Sequence, residues 1–266
     1  MPTPSIAAAE RFYHEALLRL QRLLEPQRAA LDRAATLCTE AIAHDGLVHL
    51  FGCGHSRMLC EEMTPRQGCF VGWHTIVELG LTFHNFIVGP NGLRQSLHLE
   101  KTSGYAEQIL RNFAFGPHDV LMVISTSGIR EVIIEMVEGA KQRGLPVIGV
   151  VSRAHCEQAT PAHASGKKLL DIADVILDNG APVGDSLLTL EGCPNKTGPF
   201  STLGGAMMMN LLRCEVAQRL VDRGIEPVFL PSHQFVGSRS VEEQLENFYA
   251  QYARRIAPLY ARQGQA

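Results

Sequence analysis

Residues 47–64 read LVHLFGCGHSRMLCEEMT. The apolar run LVHLF (47–51) stops at Gly52-Cys53-Gly54-His55-Ser56, and two adjacent glutamates, Glu61 and Glu62, follow. A short apolar run that ends in a glycine turn and passes into a helical pattern reads as a buried strand leading into a helix. That order is a phosphate-binding geometry. Glycines let the backbone come close to a ligand, and a helix start offers unpaired N–H donors with a favourable dipole. A dinucleotide site needs a third glycine, and Arg57 stands in its place; the acidic residue wanted about twenty positions on falls to Glu78, in a poor setting. On this stretch alone, a plain tight turn explains Gly52 and Gly54 as well as a ligand does.

Working outward, HDVLMVIS (118–125), PVIGVVS (146–152) and IADVILD (172–178) are further apolar runs. Helical patterns separate them. The plainest is 129–143, where Ile129, Val132, Ile133, Met136, Val137 and Ala140 make one stripe ahead of Gly144 and Pro146. Such alternation predicts βαβ units and a parallel sheet, hence an α/β fold. Helices are also expected in two segments of the first 44 residues, over 200–223, and near 240–260, where Val241, Leu245, Phe248, Tyr252 and Ile256 share a face. The segments 64–98, 153–170 and 179–199 are rich in Gly, Pro, Asn or His and fit no element. Long irregular stretches in a compact domain are often functional loops. The expected division is a helical extension over 1–44, a sheet domain over 45–223 and a second helical extension over 224–266.

A second turn resembles the first. Ile124-Ser125-Thr126-Ser127-Gly128-Ile129-Arg130-Glu131 also follows a strand and opens a helix. Three hydroxyls, a glycine and Arg130 make a compact anion pocket, because hydroxyls donate in little space and a guanidinium can grip a phosphate through two bonds. The plain alternative is that Ser127 caps the helix. Two such turns at the ends of parallel strands lie on one edge of the sheet, where open α/β sheets take their ligands. A third candidate, Lys196-Thr197-Gly198-Pro199-Phe200-Ser201-Thr202, places Ser201 and Thr202 at the start of the long helix. Its plain alternative is a capped start with proline just ahead of the first turn.

G-x-G-x-S at 52–56 followed by S-x-S-G at 125–128 resembles the SIS (sugar isomerase) domain family, over residues 30–223. The resemblance implies a three-layer, flavodoxin-like sandwich on a five-stranded parallel sheet, flanked by the helical extensions, with a site for phosphorylated sugars. Ile124–Gly128 (I-S-T-S-G) and Cys60-Glu61-Glu62-Met63-Thr64 are similar to the phosphate loop and the A-E-E-L-T run of sedoheptulose-7-phosphate isomerases. E-K-x-x-G-Y-A at 100–106 and P-V-G-D at 182–185 are similar to an uncharacterised group of SIS proteins. The resemblance implies an aldose–ketose isomerase acting on a phosphosugar as a homodimer or homotetramer, without a cofactor. An ether lyase and a non-catalytic phosphosugar sensor are the alternatives within the family. Two departures stand out: Arg130 occupies a Thr/Ser position of the loop, and the helix at 200–223 has no histidine. Zinc ligation is therefore not implied, and no other His/Cys spacing suggests a metal site.

Isomerisation moves a proton between C1 and C2, which needs a base, and often a second group to open the ring. Glu62 matches the family's catalytic glutamate and Glu61 is its neighbour; a solvated helix face is the plain alternative for the pair. His55, inside the glycine turn, and His84, in an unassigned loop, are the histidine candidates, with His98 and His233 similarly placed. His44 and His49 read as structural. The expected substrate-binding set is Gly52, Gly54, Ser56, Ser125, Thr126, Ser127, Gly128, Arg130, Ser201 and Thr202.

Composition narrows the partners. The 266 residues carry 24 basic and 27 acidic side chains, a net charge of −3, which gives no bulk pull toward nucleic acid or an anionic membrane. The stretch ahead of the first strand lacks the basic clustering of a DNA-binding module. Seven cysteines, an odd number with no C-x-x-C pair, predict reduced thiols and a cytoplasmic protein. Glu10, Arg11, His14 and Glu15 stand where a signal peptide would need an apolar core. No run approaches the roughly 18 apolar residues of a membrane span. The expected partner is a phosphorylated sugar or sugar derivative, with neither nucleic acid nor membrane.

Overall fold

The computed structural model describes residues 6–82, 87–88, 92–232 and 240–261. Val48–Gly52 (β1), Trp73–Ile76 (β2), Val120–Ile124 (β3), Val147–Val151 (β4) and Val175–Asp178 (β5) form one parallel sheet in the order β2-β1-β3-β4-β5. β1, β3 and β4 are buried at every position, as inner parallel strands covered on both faces must be. β5 lies at an edge and alternates buried with half-buried residues. Four strands fall in the apolar runs. The fifth, β2, lies in the unassigned segment 64–98, because Trp73-His74-Thr75-Ile76 is short and carries two polar residues.

Ten α-helices lie among the described residues, Ala7–Gln21 (α1), Arg28–Ala43 (α2), Arg57–Met63 (α3), Leu93–Leu99 (α4), Tyr105–Leu110 (α5), Glu131–Gln142 (α6), Arg153–Gln158 (α7), Leu169–Ile172 (α8), Ser201–Asp222 (α9) and Val241–Tyr260 (α10), and Leu188–Thr189 pairs antiparallel with Lys196–Thr197. The pleat sends alternate strand residues to opposite faces and so builds two cores. On one face, Val48 and Leu50 of β1 and Met122 and Ile124 of β3 meet Cys38 of α2, Leu59 and Met63 of α3, and Met208, Leu212 and Val216 of α9. On the other, Phe51, Leu121 and Val123 meet Ile109 of α5 and Val132, Met136 and Val137 of α6. The result is a three-layer α/β sandwich of flavodoxin-like order.

α2, which a boundary at residue 44 sets outside the sheet domain, supplies Leu31, Ala34, Ala35, Cys38, Ala41 and Ile42 to the first core. α1 is different. Its single buried residue is Ala16, while Tyr13, Leu17 and Leu18 are exposed. α10 packs Phe248 and Leu259 inward, and its Tyr252 hydroxyl donates to the Trp73 carbonyl at 3.3 Å. Arg254 forks onto Asp45 at 2.7 and 2.8 Å, and Arg255 donates to the carbonyls of Ile42 and Gly46. No helix among the described residues is long and apolar enough to cross a membrane.

Candidate functional site

Strand register brings the first two turns together. Gly52 pairs with Ile124 in the β1–β3 ladder, so the chain leaves both strands at one level, where the strand order reverses. That reversal opens a crevice between the outgoing loops. After β1, a Cβ on Gly52 would stand 2.9 Å from the Ser56 backbone, so only glycine lets this turn fold back on itself. A single 3₁₀ turn, Gly54–Ser56, then leads into α3. After β3, Gly128 takes φ +62° and donates its N–H to Ser125 Oγ at 3.1 Å. A Cβ there would press on Cys156 Sγ at 2.9 Å and Leu169 Cβ at 3.0 Å. Arg130 is the N-cap of α6 and no side chain caps that helix, so Ser127 does not play the capping role.

The two turns enclose a cavity of about 170 Å³ walled by Ser56, Ser125, Thr126, Ser127 and Arg130. Ser125 Oγ accepts from Gly128 and keeps its own proton to donate. Among the described residues, no protein hydrogen bond or ion pair engages the side chains of Ser56, Thr126, Ser127 or Arg130. One cation beside several open hydroxyls is an anion cradle.

Glu100 and His155 also line the cavity, and sequence reasoning picks neither. Glu100 follows α4, and its carbonyl accepts from Val132 N–H at 3.2 Å, which ties the end of α4 to the first turn of α6. Burial holds its carboxyl above the usual range, against the pull of the Arg130 and Lys101 charges. His155 Nδ1 accepts from Gly184 N–H at 3.2 Å, so a neutral ring carries its proton on Nε2. Signals existed for both: Glu100 opens the E-K-x-x-G-Y-A run and Gly184 lies in P-V-G-D. Cys53 also lines the cavity, and burial keeps its thiol well above the usual range, as a neutral packing group.

Several expected residues lie elsewhere. Glu62 sits in the seam between α3 and α9, not on the cavity wall. Its Oε2 takes Arg66 at 2.6 Å, its Oε1 takes Asn210 Nδ2 at 3.0 Å, and Arg213 lies 3.8 Å from that oxygen. Glu61 is exposed and pairs with Arg57 at 2.7 Å. His55 is exposed and does not line the cavity. His84 and His233 lie outside the described residues. His98 lies in the last turn of α4 and is exposed.

Ser201 and Thr202 are not at the cavity either. The start of α9 already holds an anion, the chain's own Asp185. Asp185 Oδ1 accepts from the N–H groups of Phe200 at 2.9 Å and Ser201 at 2.7 Å, and Oδ2 accepts from the Ser201 hydroxyl at 2.6 Å. Glu78, the residue a ribose would need, instead accepts from Gly80 N–H at 3.1 Å.

Two other polar regions lie away from the serine turns. A larger hollow of about 630 Å³ runs between α1 and the β5 edge, away from the strand-order reversal. Arg19 there donates to Gly180 O at 3.1 Å and Gln27 to Asp178 O at 3.0 Å. At the opposite edge of the sheet, His49 Nε2 meets Asp119 Oδ2 at 3.0 Å and His49 Nδ1 meets His74 Nδ1 at 2.9 Å. The carboxylate takes the Nε2–H of His49, which leaves Nδ1 of that ring to accept from His74. Burial and the neighbouring His49 push His74 down to about 3. His49 is thus placed as a structural residue, and His44 stacks on His118 at 4.8 Å.

The fold is an α/β sandwich whose crevice at the strand-order reversal is walled by hydroxyls and one guanidinium. The SIS domain family model matches residues 11–152, and the chain belongs to that family. The UPF0309 protein of Brucella anthropi is 35% identical over 237 residues, covering 89% of this chain and 93% of the relative. The UPF0309 protein of Halalkalibacterium halodurans is 33% identical over 242 residues, covering 91% and 96%. Among solved structures, a phosphoheptose isomerase from Francisella tularensis matches with a TM-score of 0.51 at 16% identity, covering 81% of this chain and 100% of that one. The Vibrio vulnificus NanR protein complexed with ManNAc-6P matches with a TM-score of 0.50 at 15% identity, covering 96% and 70%. These two likenesses are of fold alone.

Proposed function

We propose that this chain binds a phosphorylated sugar, with the phosphate in the cradle of Ser56, Ser125, Thr126, Ser127 and Arg130, and isomerises it between aldose and ketose with a glutamate as proton carrier. The observation that carries this reading is the cradle itself: an unpaired guanidinium and unpaired hydroxyls around a cavity that also holds a carboxyl group. Gly52, Gly54 and Gly128 serve by shaping the two turns. At about 170 Å³ the cavity is smaller than the roughly 300–1,000 Å³ of ordinary ligand sites. With the phosphate at Arg130, the rest of the sugar runs past Glu100 toward the mouth of the cavity.

Calorimetry against five-, six- and seven-carbon sugar phosphates and their unphosphorylated forms tests the binding. Arg130→Ala and Ser127→Ala are each expected to weaken phosphosugar binding by about 10- to 100-fold, as charged hydrogen bonds contribute roughly 1.5–3 kcal/mol. Equal affinity for sugar and sugar phosphate would sink the reading. Binding without any proton exchange on the sugar is the sensor outcome.

We also infer a homo-oligomer, supported by Tyr13, Leu17 and Leu18 standing exposed along α1. Light scattering is expected to give a multiple of 29.2 kDa, and a lone 29.2 kDa species binding phosphosugar at full affinity would refute it.

A further inference from the structure

Resting on the reading of the site as an isomerase for sugar phosphates, we infer that Glu100, and not Glu62, is the base that carries the proton between C1 and C2. A base needs an open lone pair within reach of the anchored substrate. Glu100 lines the cavity that holds Arg130 and the serine turn. Among the described residues, no hydrogen bond or ion pair engages its side chain. Glu62 is in the opposite state. Arg66, Asn210 and Arg213 surround its two oxygens, and it is absent from the cavity wall.

The backbone of Glu100 is fixed at both ends of its peptide unit. Its N–H donates to Ser96 O at 3.0 Å and its carbonyl accepts from Val132 N–H at 3.2 Å. A side chain on such an anchored position starts from a defined place, which favours a reproducible approach to the substrate. Charge sets the orientation of the ligand. The phosphate is drawn to Arg130 and repelled by Glu100, so the carbonyl end of an open-chain aldose faces the carboxylate. Burial, which raises the Glu100 carboxyl, strengthens it as a base once ionised.

The step balances without a co-reactant. The Glu100 carboxylate takes the proton on C2, and the C–H electron pair becomes the C1=C2 bond of an enediol. The C1 carbonyl π pair moves to O1, which is protonated. Glu100 then returns its proton to C1 while the O2 hydroxyl loses one and C2=O forms. The carboxylate is regenerated and the two oxygen protonation events cancel.

The test uses the full chain with aldose phosphates of five, six and seven carbons in heavy water, read by NMR for deuterium at C1 or C2. Glu100→Gln is expected to keep phosphosugar affinity within about threefold and to lose about 100- to 10,000-fold in exchange rate, the usual range for a general base. Glu62→Gln is expected to exchange within about threefold of wild type. In the wild type the rate should fall as pH drops through the raised Glu100 pKa, because the protonated acid is no base. If wild type exchanges and Glu100→Gln keeps pace, the Glu100 assignment fails and the isomerase reading stands. If phosphosugars bind and wild type exchanges none of them, the isomerase reading fails and takes this assignment with it. Should melting show Glu100→Gln misfolded, Glu100→Asp replaces it. A slower exchange at unchanged KM is then expected, and a wild-type rate overturns the proposal.

Discussion

At the start of α9, Asp185 accepts two backbone N–H groups and the Ser201 hydroxyl. At the start of α6 no side chain acts as cap, Arg130 occupies the N-cap, and the nearby hydroxyls of Thr126 and Ser127 are unengaged among the described residues. Both regions present hydroxyls and N–H donors to an anion. One is closed by a carboxylate of the same chain, and the other is not. Electrostatics of a helix start favours a negative group in either place. The two helix starts differ in whether the chain supplies that group itself.

The largest expected effect on this contrast comes from removing the internal anion. Asp185 has φ +50°, so glycine replaces it without backbone strain. Asp185→Gly is expected to lower stability by about 2 kcal/mol, the scale of a charge-assisted hydrogen bond lost at a helix start. Inorganic phosphate or sulfate should recover part of that in thermal melts, since the start of α9 then resembles that of α6. Melting insensitive to both the substitution and the anion would break the comparison.

A second effect, at the other edge of the sheet, concerns a cluster whose groups are also internally paired. His74 is held neutral in the fold, down to about 3, whereas an unfolded histidine titrates near 6.5. Between those values the unfolded chain binds one more proton than the folded chain at this site, so stability falls as pH falls. The slope from this group is at most about 1.4 kcal/mol per pH unit. Denaturant melts of wild type and His74→Gln between about pH 6 and pH 4 should show the flatter curve in the variant. Parallel curves would remove His74 from the acid response.

The smallest effect is expected at Ser201. Ser201→Ala removes one hydroxyl donor to Asp185 and should cost about 1 kcal/mol of stability, with phosphosugar affinity unchanged. A loss of affinity comparable to that of Ser127→Ala would place the start of α9 in the binding site after all.

Much of the architecture was legible in the chain. The runs 47–51, 118–125, 146–152 and 172–178 mark β1, β3, β4 and β5: the first three because inner strands buried on both faces must be almost wholly apolar, and edge strand β5 through Val175 and Leu177, which alternate with half-buried residues. β2 escaped because an edge strand of four residues with His74 and Thr75 in it has no such pattern. The G-x-G-x-S and S-T-S-G turns were legible for the same reason that they work: their glycines meet a steric demand of the backbone, local in sequence.

Sequence by itself determined the α/β class, the order of most elements and the two turns that form the cradle, since these follow from periodicity and from backbone conformation over a few residues. Tertiary structure decided which side chains are free to act. Ser201 turned to Asp185, 16 residues before it, and Glu62 to Asn210, 148 residues on. Glu100 came to the wall of the serine pocket, where α4 ends against α6. The Asp185 contact of Ser201 and the Asn210 and Arg213 contacts of Glu62 depend on partners distant in the chain, and no local pattern of residues encodes those.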